Sequence, residues 1–363
     1  MLLSNPFTGA FGLEIDDLSL TLIQLVPHKP FQKQSYCSIQ TVRSAALPPG
    51  AIVNGEIEQP EVVRRKILHL LGADKTYKPL RSRWVVANLP ELKTFIKRIT
   101  VAIPTVDLMS EDVEYHAAKH LPFEMAETFL DWQIIKSGNY STDLLLAAVP
   151  KSISDSYTYL LEASGLNPLA LEPESIALSR CLITKSKVYD GEARALLNLG
   201  QTHSSIVIYD HGMVQFSTSI PFSAEIAITA IAQRLKIASP KAAELFFKTG
   251  VRFIKESSSY LPVIDKLVTS LVEKIKQNLS FYHDHFEGAN PITHITMSGS
   301  LAELGNLTII LSQKLKISSA AANVWKNVLT ESMDDDKKKR GLDMASAIGL
   351  ALRAAENPLD ENV

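Results

Sequence analysis

The chain opens with two apolar segments that are separated by a polar pair. Residues 11–16 read Phe-Gly-Leu-Glu-Ile-Asp, and in residues 18–25 leucines alternate with serine and threonine. A period of two is typical of a strand with one buried face. The pair Asp16-Asp17 between the segments predicts a tight turn, so the first 25 residues are expected to form a hairpin.

A second hairpin pattern occurs near the middle of the chain. Residues 194–200 are an apolar run that ends at Gly200, and residues 204–210 repeat the strand pattern after a short polar turn. A third strand is predicted for residues 213–220. Each half of the chain therefore begins alike, and this internal repeat predicts two lobes with a ligand-binding cleft between them.

The remaining pattern alternates between helical and strand-like segments. Loop residues dominate 46–55, and a charge run at 333–340 predicts a solvated loop. Helices are predicted at 60–71, 112–120, 153–164, repeatedly over 224–286, at 301–315 and at 342–355; strands are predicted at 83–87, 128–135, 143–150, from 169 onward and at 292–297.

Composition narrows the class of protein. The 363 residues are too many for one ordinary core, and 46% hydrophobic residues indicate a globular chain. The 37 basic residues nearly balance 39 acidic ones, which argues against a nucleic-acid-binding protein. Cys37 and Cys181 stand far apart in the sequence, which argues against a disulfide framework and indicates a reducing compartment. The sequence has neither an apolar run of membrane-spanning length nor a secretory signal pattern at its start. We therefore expect a cytoplasmic protein without direct membrane insertion.

Short stretches along nearly the whole chain carry a resemblance to a known family. They are FGLEI (11–15), LPPGAIVNGEI (47–57), HLPFE (120–124), LDWQ (130–133), AVPK (148–151), ESIAL (174–178), LVEKI (271–275), FY (281–282) and AIGLALR (347–353). In order and spacing they resemble the PilM family of type IV pilus assembly proteins, relatives of the division protein FtsA in the actin-like ATPase superfamily.

The resemblance implies an α/β fold of the actin-like (RNase H-like) type, with two lobes and an inserted α+β subdomain as in FtsA and PilM. The expected division is a first lobe beginning at 1–98, an insertion at 99–172, the end of the first lobe and start of the second at 173–221, a helical subdomain at 222–290 and the rest of the second lobe at 291–363.

The resemblance also implies a scaffold for pilus or related secretion machinery, peripheral to the inner membrane through its partners. The expected partner is the N-terminal cytoplasmic peptide of a PilN-like membrane protein, held in a groove on the first lobe and the insertion. Pilus ATPases and further copies of the chain are open as additional partners, and similarity to the type II secretion protein GspL leaves a secretion role open. The aromatic residues Phe123, Phe129, Trp132 and Tyr157 are predicted in the insertion's core, with the groove as the alternative.

In the family, ATP and magnesium are held by two turns that face each other across the cleft. The first turn reads Asp-Ile-Gly-Ser-Ser-Ser-x-Lys; here Glu14 replaces the first residue, Asp16 the glycine and Asp17 the next serine. Ser19 keeps a hydroxyl, whereas Thr21 stands in place of the lysine. Carboxylates where phosphates should bind oppose them by about 1–4 kcal/mol per pair of charges at ~4 Å.

The second turn and the adenosine loop are altered as well. Asn198 replaces the aspartate of the second turn, followed by Gly200, Gln201 and Thr202. In the adenosine loop Gly299 is kept and Ser300 replaces the second glycine, while Glu273 is a candidate for binding the ribose. These changes favour a scaffold with weak or lost nucleotide binding and disfavour ATP and magnesium as ligands; an active ATPase is the alternative, and no catalytic residue is assigned.

Two histidine pairs have partial metal-ligand spacing. His116 and His120 are four residues apart, and His283 and His285 are two apart, but neither pair belongs to a complete zinc motif. His116 and His120 are predicted to lie on a solvated helix face and His283 and His285 at the end of a helix, and no metal site is expected.

Overall fold

The computed structural model describes residues 5–31, 34–251, 259–330, 341–356 and 358–359. The strands are β1 Phe11–Ile15, β2 Ser19–Phe31, β3 Gln34–Ala46, β4 Ile52–Val53, β5 Glu56–Ile57, β6 Trp84–Leu89, β7 Phe95–Val101, β8 Thr128–Lys136, β9 Thr142–Pro150, β10 Asn167–Pro173, β11 Ala193–Leu199, β12 Ser204–Asp210, β13 Met213–Ile220, β14 Ile292–Ser298, β15 Ser318–Ala321 and β16 Val328–Leu329. The α-helices are α1 Pro60–Leu71, α2 Ser110–Ala117, α3 Lys151–Ala163, α4 Glu174–Leu182, α5 Ala224–Leu235, α6 Ser239–Thr249, α7 Leu261–His285, α8 Leu307–Leu315 and α9 Ala345–Ala355. Short 3₁₀ helices lie at Glu91–Lys93, Thr105–Asp107, Met125–Glu127 and Gly341–Met344.

Local sequence explains where several helices begin and end. Pro60 is at the first position of α1, where its missing N–H costs nothing, and Gly72 ends the helix in the left-handed conformation. The hydroxyl of Ser223 accepts a hydrogen bond from the backbone N–H of Ile226 at 3.2 Å and so caps α5. No helix in the described part of the chain is both long and apolar enough to cross a membrane.

The first sheet has the strand order β10-β6-β1-β2-β3-β16 within the described residues. Strands β1, β2 and β3 are antiparallel neighbours, whereas β6 is parallel to β1 and β10 is parallel to β6. Helices α1 and α3 pack on one face of this sheet, and α4 and α9 pack on the other. Gly12 of β1 is required for the packing of α9 on this sheet, because a Cβ there would lie 2.4 Å from the backbone nitrogen of Ala351 in α9.

The second sheet repeats this topology in its first five strands. Its order is β15-β14-β11-β12-β13, followed by β7-β9-β8. Again three antiparallel strands come first, namely β11, β12 and β13. Strand β14 then pairs parallel with β11, and β15 pairs parallel with β14. Helices α5, α6, α7 and α8 pack with it in one large core. The prediction of two related lobes that each begin with a hairpin is therefore confirmed.

The insertion extends the sheet of the second lobe, although it is inserted in the chain of the first. Strand β7 pairs with β13 at Lys97 and Phe216, and β9 and β8 follow. Helix α2 closes a small separate core against these strands. The chain then returns to the first lobe, since α3 packs in the first core and β10 joins the first sheet. The expected range 99–172 cuts β7 and includes α3 and β10, so we propose residues 95–150 as the insertion.

Several sequence-based expectations differ from the structure in detail. Tyr157 packs in the first-lobe core rather than in the insertion, and its hydroxyl donates to the carbonyl oxygen of Gly55 at 3.1 Å. Helix α8 begins at Leu307 and not at 301, because Asn306 takes a left-handed backbone conformation that interrupts the helix. The charge run at 333–340 lies outside the described residues.

Candidate functional site

The turns that follow the first strands of the two sheets face each other across a cavity of about 420 Å³. Most of the predicted site residues line it: Glu14, Asp16, Asp17, Ser19, Asn198, Gly200, Gln201, Gly299 and Ser300. Thr202 and Glu273 are not among the lining residues. Thr202 hydrogen-bonds the ring of His203, and Glu273 is exposed on α7.

Sequence reasoning missed several residues of the cavity wall, namely Asn88, Glu91, Glu174, His203, Asp343 and Ser346. Glu174 begins the stretch ESIAL, and His203 lies within the predicted second turn, so both were in recognised motifs. Their role in the cavity depends on how the two lobes meet, which no local pattern shows.

Backbone and side-chain hydrogen bonds fix the first turn. The N–H of Ile15 donates to Asn88 Oδ1 at 2.7 Å, and the N–H of Asp16 donates to the carbonyl oxygen of Ser19 at 3.0 Å. The carboxylate of Asp17 accepts from the backbone N–H groups of Asn54 and Gly55, each at 3.0 Å. Asp17 is thus bonded to the turn between β4 and β5, which gives this replacement a structural role.

The second turn and the loop after β14 pack tightly against each other. The N–H of Gly200 donates to the carbonyl oxygen of His203 at 3.0 Å. Gly299 has φ +84°, and a Cβ there would lie 2.4 Å from the carbonyl oxygen of Leu199. Backbone packing is therefore sufficient to explain the glycine at this position, and no ligand is needed to account for it.

Four side chains meet across the cavity. Glu174, the first residue of α4, accepts a hydrogen bond from Asn198 Nδ2 at 2.7 Å, and its other carboxylate oxygen lies 3.4 Å from His203 Nε2. His203 Nδ1 lies 3.7 Å from Asp16 Oδ1. The hydroxyl of Ser298 donates to Asn198 Oδ1 at 3.2 Å, which orients the Asn198 amide with its nitrogen toward Glu174. We call the set formed by Asp16, Glu174, Asn198 and His203 the interlobe contact.

Acidic side chains dominate the cavity wall. Six carboxyl groups line it, and the described lining residues include no lysine or arginine. Burial, with the charges of Glu174 and Asp16, holds the pKa of Glu14 well above its usual range. Burial is also the main cause that raises the pKa of Asp16 to about 6, which His203 opposes, and the pKa of Glu91 to about 7. Near neutral pH Glu91 is therefore partly protonated, whereas Asp16 is mostly ionised.

His203 is the counterpart of this acidic wall. Burial alone lowers the pKa of an imidazole, but the hydrogen bond and charge of Glu174, together with Asp16, raise the pKa of His203 to about 10. His203 is therefore an imidazolium at neutral pH, and it places a positive charge between the two lobes.

The histidine pairs noted in the sequence lie elsewhere. His120, His283 and His285 are exposed and His116 is half-buried, in each case outside the cavity wall. Among the described residues, no group of three or more histidine, cysteine, aspartate or glutamate side chains is arranged to hold a metal ion.

The sequence matches the family described as type IV pilus assembly protein PilM over residues 12–355. The chain belongs to the PilM family. No protein of curated function matched the sequence.

Solved structures with the same fold agree with this assignment. The PilM-PilN type IV pilus biogenesis complex aligns with a TM-score of 0.80 at 21% identity, covering 97% of this chain and 100% of the other. Ethanolamine utilization protein EutJ from Carboxydothermus hydrogenoformans aligns with 0.53 at 10% identity, covering 97% and 92%. MreB 5 of Spiroplasma citri bound to AMPPNP aligns with 0.54 at 9% identity, covering 96% of each chain. The expected actin-like fold and PilM resemblance are thereby confirmed.

Proposed function

We propose that this PilM family member is a scaffold for type IV pilus assembly that docks the N-terminal cytoplasmic peptide of a PilN-like inner-membrane protein. The observation that carries this proposal is the family match over nearly the whole chain. Through this partner the protein would be held at the cytoplasmic face of the membrane.

The junction between the first lobe and the insertion supports peptide docking. Phe129 on β8 is 47% exposed, and Lys151 Nζ at the start of α3 lies 5.9 Å from its ring centre. Strand β8 is the last strand of its sheet, so one edge of its backbone has no partner strand in the described residues. An extended peptide can add to such an edge by backbone hydrogen bonds while an aromatic side chain contributes specificity.

Calorimetric titration with the peptide tests the docking site. Phe129→Ala removes the exposed aromatic ring and is expected to weaken binding by about tenfold, the size of a moderate interface hot spot. The matched control is Tyr140→Ala, since Tyr140 is 88% exposed in the same insertion but lies beyond the far end of β8. Equal affinities of the two variants would contradict this position for the groove, and no binding by the unmodified chain would contradict the scaffold.

We further propose that the cavity holds ATP weakly or not at all. The fold itself accommodates nucleotides, as in the MreB 5 structure with AMPPNP. In this chain, however, the wall carries six carboxyl groups and, among the described residues, no lysine or arginine that would bind a phosphate. His203 already pairs with Glu174 and Asp16, so its charge is not free for a phosphate.

Titration with ATP and magnesium separates this proposal from a working ATPase. We expect a dissociation constant weaker than about 1 mM and no phosphate release. Micromolar binding with turnover would overturn the proposal, and it would leave the peptide-docking result unaffected.

A further inference from the structure

The interlobe contact lies where two turns of an actin-like fold face each other, and each of its pairs is formed between side chains. Asn198 and His203 lie at the end of β11 and in the turn after it, whereas Asp16 lies in the first turn of the first lobe. Glu174 begins α4, which packs between the two sheets. The contact distances are 3.4 Å and 3.7 Å for His203 and 2.7 Å for Asn198. Closure of the cleft is therefore stabilised by the protein's own groups.

We propose that His203 is a built-in cation that holds the two lobes together without a nucleotide and releases them when its imidazole loses its proton.

The surroundings of the ring explain why the charge matters. In the described part of the chain, three carboxyl groups face His203: Asp16 and Asp17 from the turn between β1 and β2, and Glu174 from α4. The Asp17 carboxylate accepts two backbone hydrogen bonds, and Glu174 is only 5% exposed. Buried carboxylates without a compensating cation are costly, and opening of the cleft would return them to water.

The amide of Asn198 allows the second turn to approach Glu174 without charge repulsion. An aspartate at this position would place a second negative charge near Glu174, whereas the amide donates a hydrogen bond to it. The replacement that removes a charge from the second turn thus permits direct contact between the lobes. The hydrogen bond between Asn198 and Glu174 does not depend on the charge of His203. Some attraction across the cavity therefore remains when His203 is neutral.

Energy transfer between two dyes measures the closure directly. One dye is attached at Arg65→Cys on α1 and the other at Lys241→Cys on α6; both positions are exposed, and Cys37 and Cys181 are buried. The protein with His203 intact should show one short distance at pH 7 and a longer one as the pH approaches about 10. His203→Gln should raise the open population at pH 7 about tenfold, the effect of losing a charge-assisted hydrogen bond, and should abolish the pH response.

Two variants make the result decisive. His283→Gln removes an exposed histidine of the same lobe and should leave both distance and pH response unchanged. Asp16→Asn removes one of the carboxylates beside His203 and should lower the pH of opening by about one unit; it serves as the test if His203→Gln does not fold. A closed distance that persists in His203→Gln, or an opening pH that Asp16→Asn does not move, would overturn the proposal. Neither result depends on peptide binding.

Discussion

At the scale of single residues, a replacement in the first turn has a structural role. Asp17 stands where the family pattern has a serine, and its carboxylate accepts two backbone hydrogen bonds at 3.0 Å. Asp17→Ala leaves both N–H groups of the β4–β5 turn without this acceptor, so we expect a loss of about 2–3 kcal/mol in the free energy of unfolding. Urea denaturation measures this, with Asp155→Ala on the exposed side of α3 as the control. A loss of stability no larger than that of the control would show that water accepts the two hydrogen bonds in place of the carboxylate.

His203 also predicts how stability depends on pH. Its pKa rises from about 6.5 to about 10 on folding, so its contribution is complete below pH 6.5 and is lost as the pH rises toward 10. Stability should therefore fall between pH 7 and 8.5, by at most about 1.4 kcal/mol per unit. Glu14 has a raised pKa and acts in the same direction, so the informative quantity is the difference from His203→Gln. Parallel stability curves for the two proteins would contradict this role.

At the scale of elements, a buried ion-pair group joins three pieces of the first lobe. Glu172 on β10 is 2% exposed and pairs with Arg180 of α4 at 2.6 Å and with Arg353 of α9. Arg180→Ala leaves a buried carboxylate with one cation, and we expect a loss of about 3 kcal/mol. Glu61→Ala is the control, because Glu61 is exposed and the loss of its pair with Arg64 at 3.7 Å should cost well under about 1 kcal/mol. Thermal or urea unfolding of both variants checks the difference.

The elements also show which features a sequence can reveal. The hairpin of β1 and β2 was predictable because leucine alternation and a polar turn are local signals. Strand β3 was missed, since its polar composition gives no alternating apolar pattern. The turns of the site were found for the same local reason as the hairpins, whereas the contact of His203 with Glu174 depends on the packing of α4 against the second lobe. Recognition of motifs therefore located the cavity but did not show which side chains meet across it.

At the scale of the whole molecule, the insertion couples the two lobes. It interrupts the chain of the first lobe, yet its strand β7 continues the second sheet. In addition, Arg98 Nη1 of β7 donates a hydrogen bond to Gln215 Oε1 of β13 at 3.1 Å. Arg98 also pairs with Asp143 of β9 at 2.8 Å. The groove proposed beside Phe129 therefore lies between a lobe and a subdomain attached to the opposite lobe. Any change in the angle between the lobes must alter this groove.

This arrangement predicts that peptide docking and the interlobe contact are linked. The groove described above is that of the closed arrangement, so the peptide should bind the closed state better. If His203→Gln opens about 90% of the molecules, the apparent affinity for the peptide should fall about tenfold. The linkage is reciprocal, so bound peptide should raise the pH at which the dye distance lengthens.

Calorimetry at pH 7 on the unmodified chain and His203→Gln measures the first effect, and energy transfer with and without peptide measures the second. Gln215→Ala supplies the control for the route of coupling, since it removes a contact between insertion and second lobe while leaving His203 and Phe129 in place. It should reduce the influence of peptide on closure. Equal peptide affinity in His203→Gln, under conditions where the dyes report open lobes, would show that the groove does not sense the cleft.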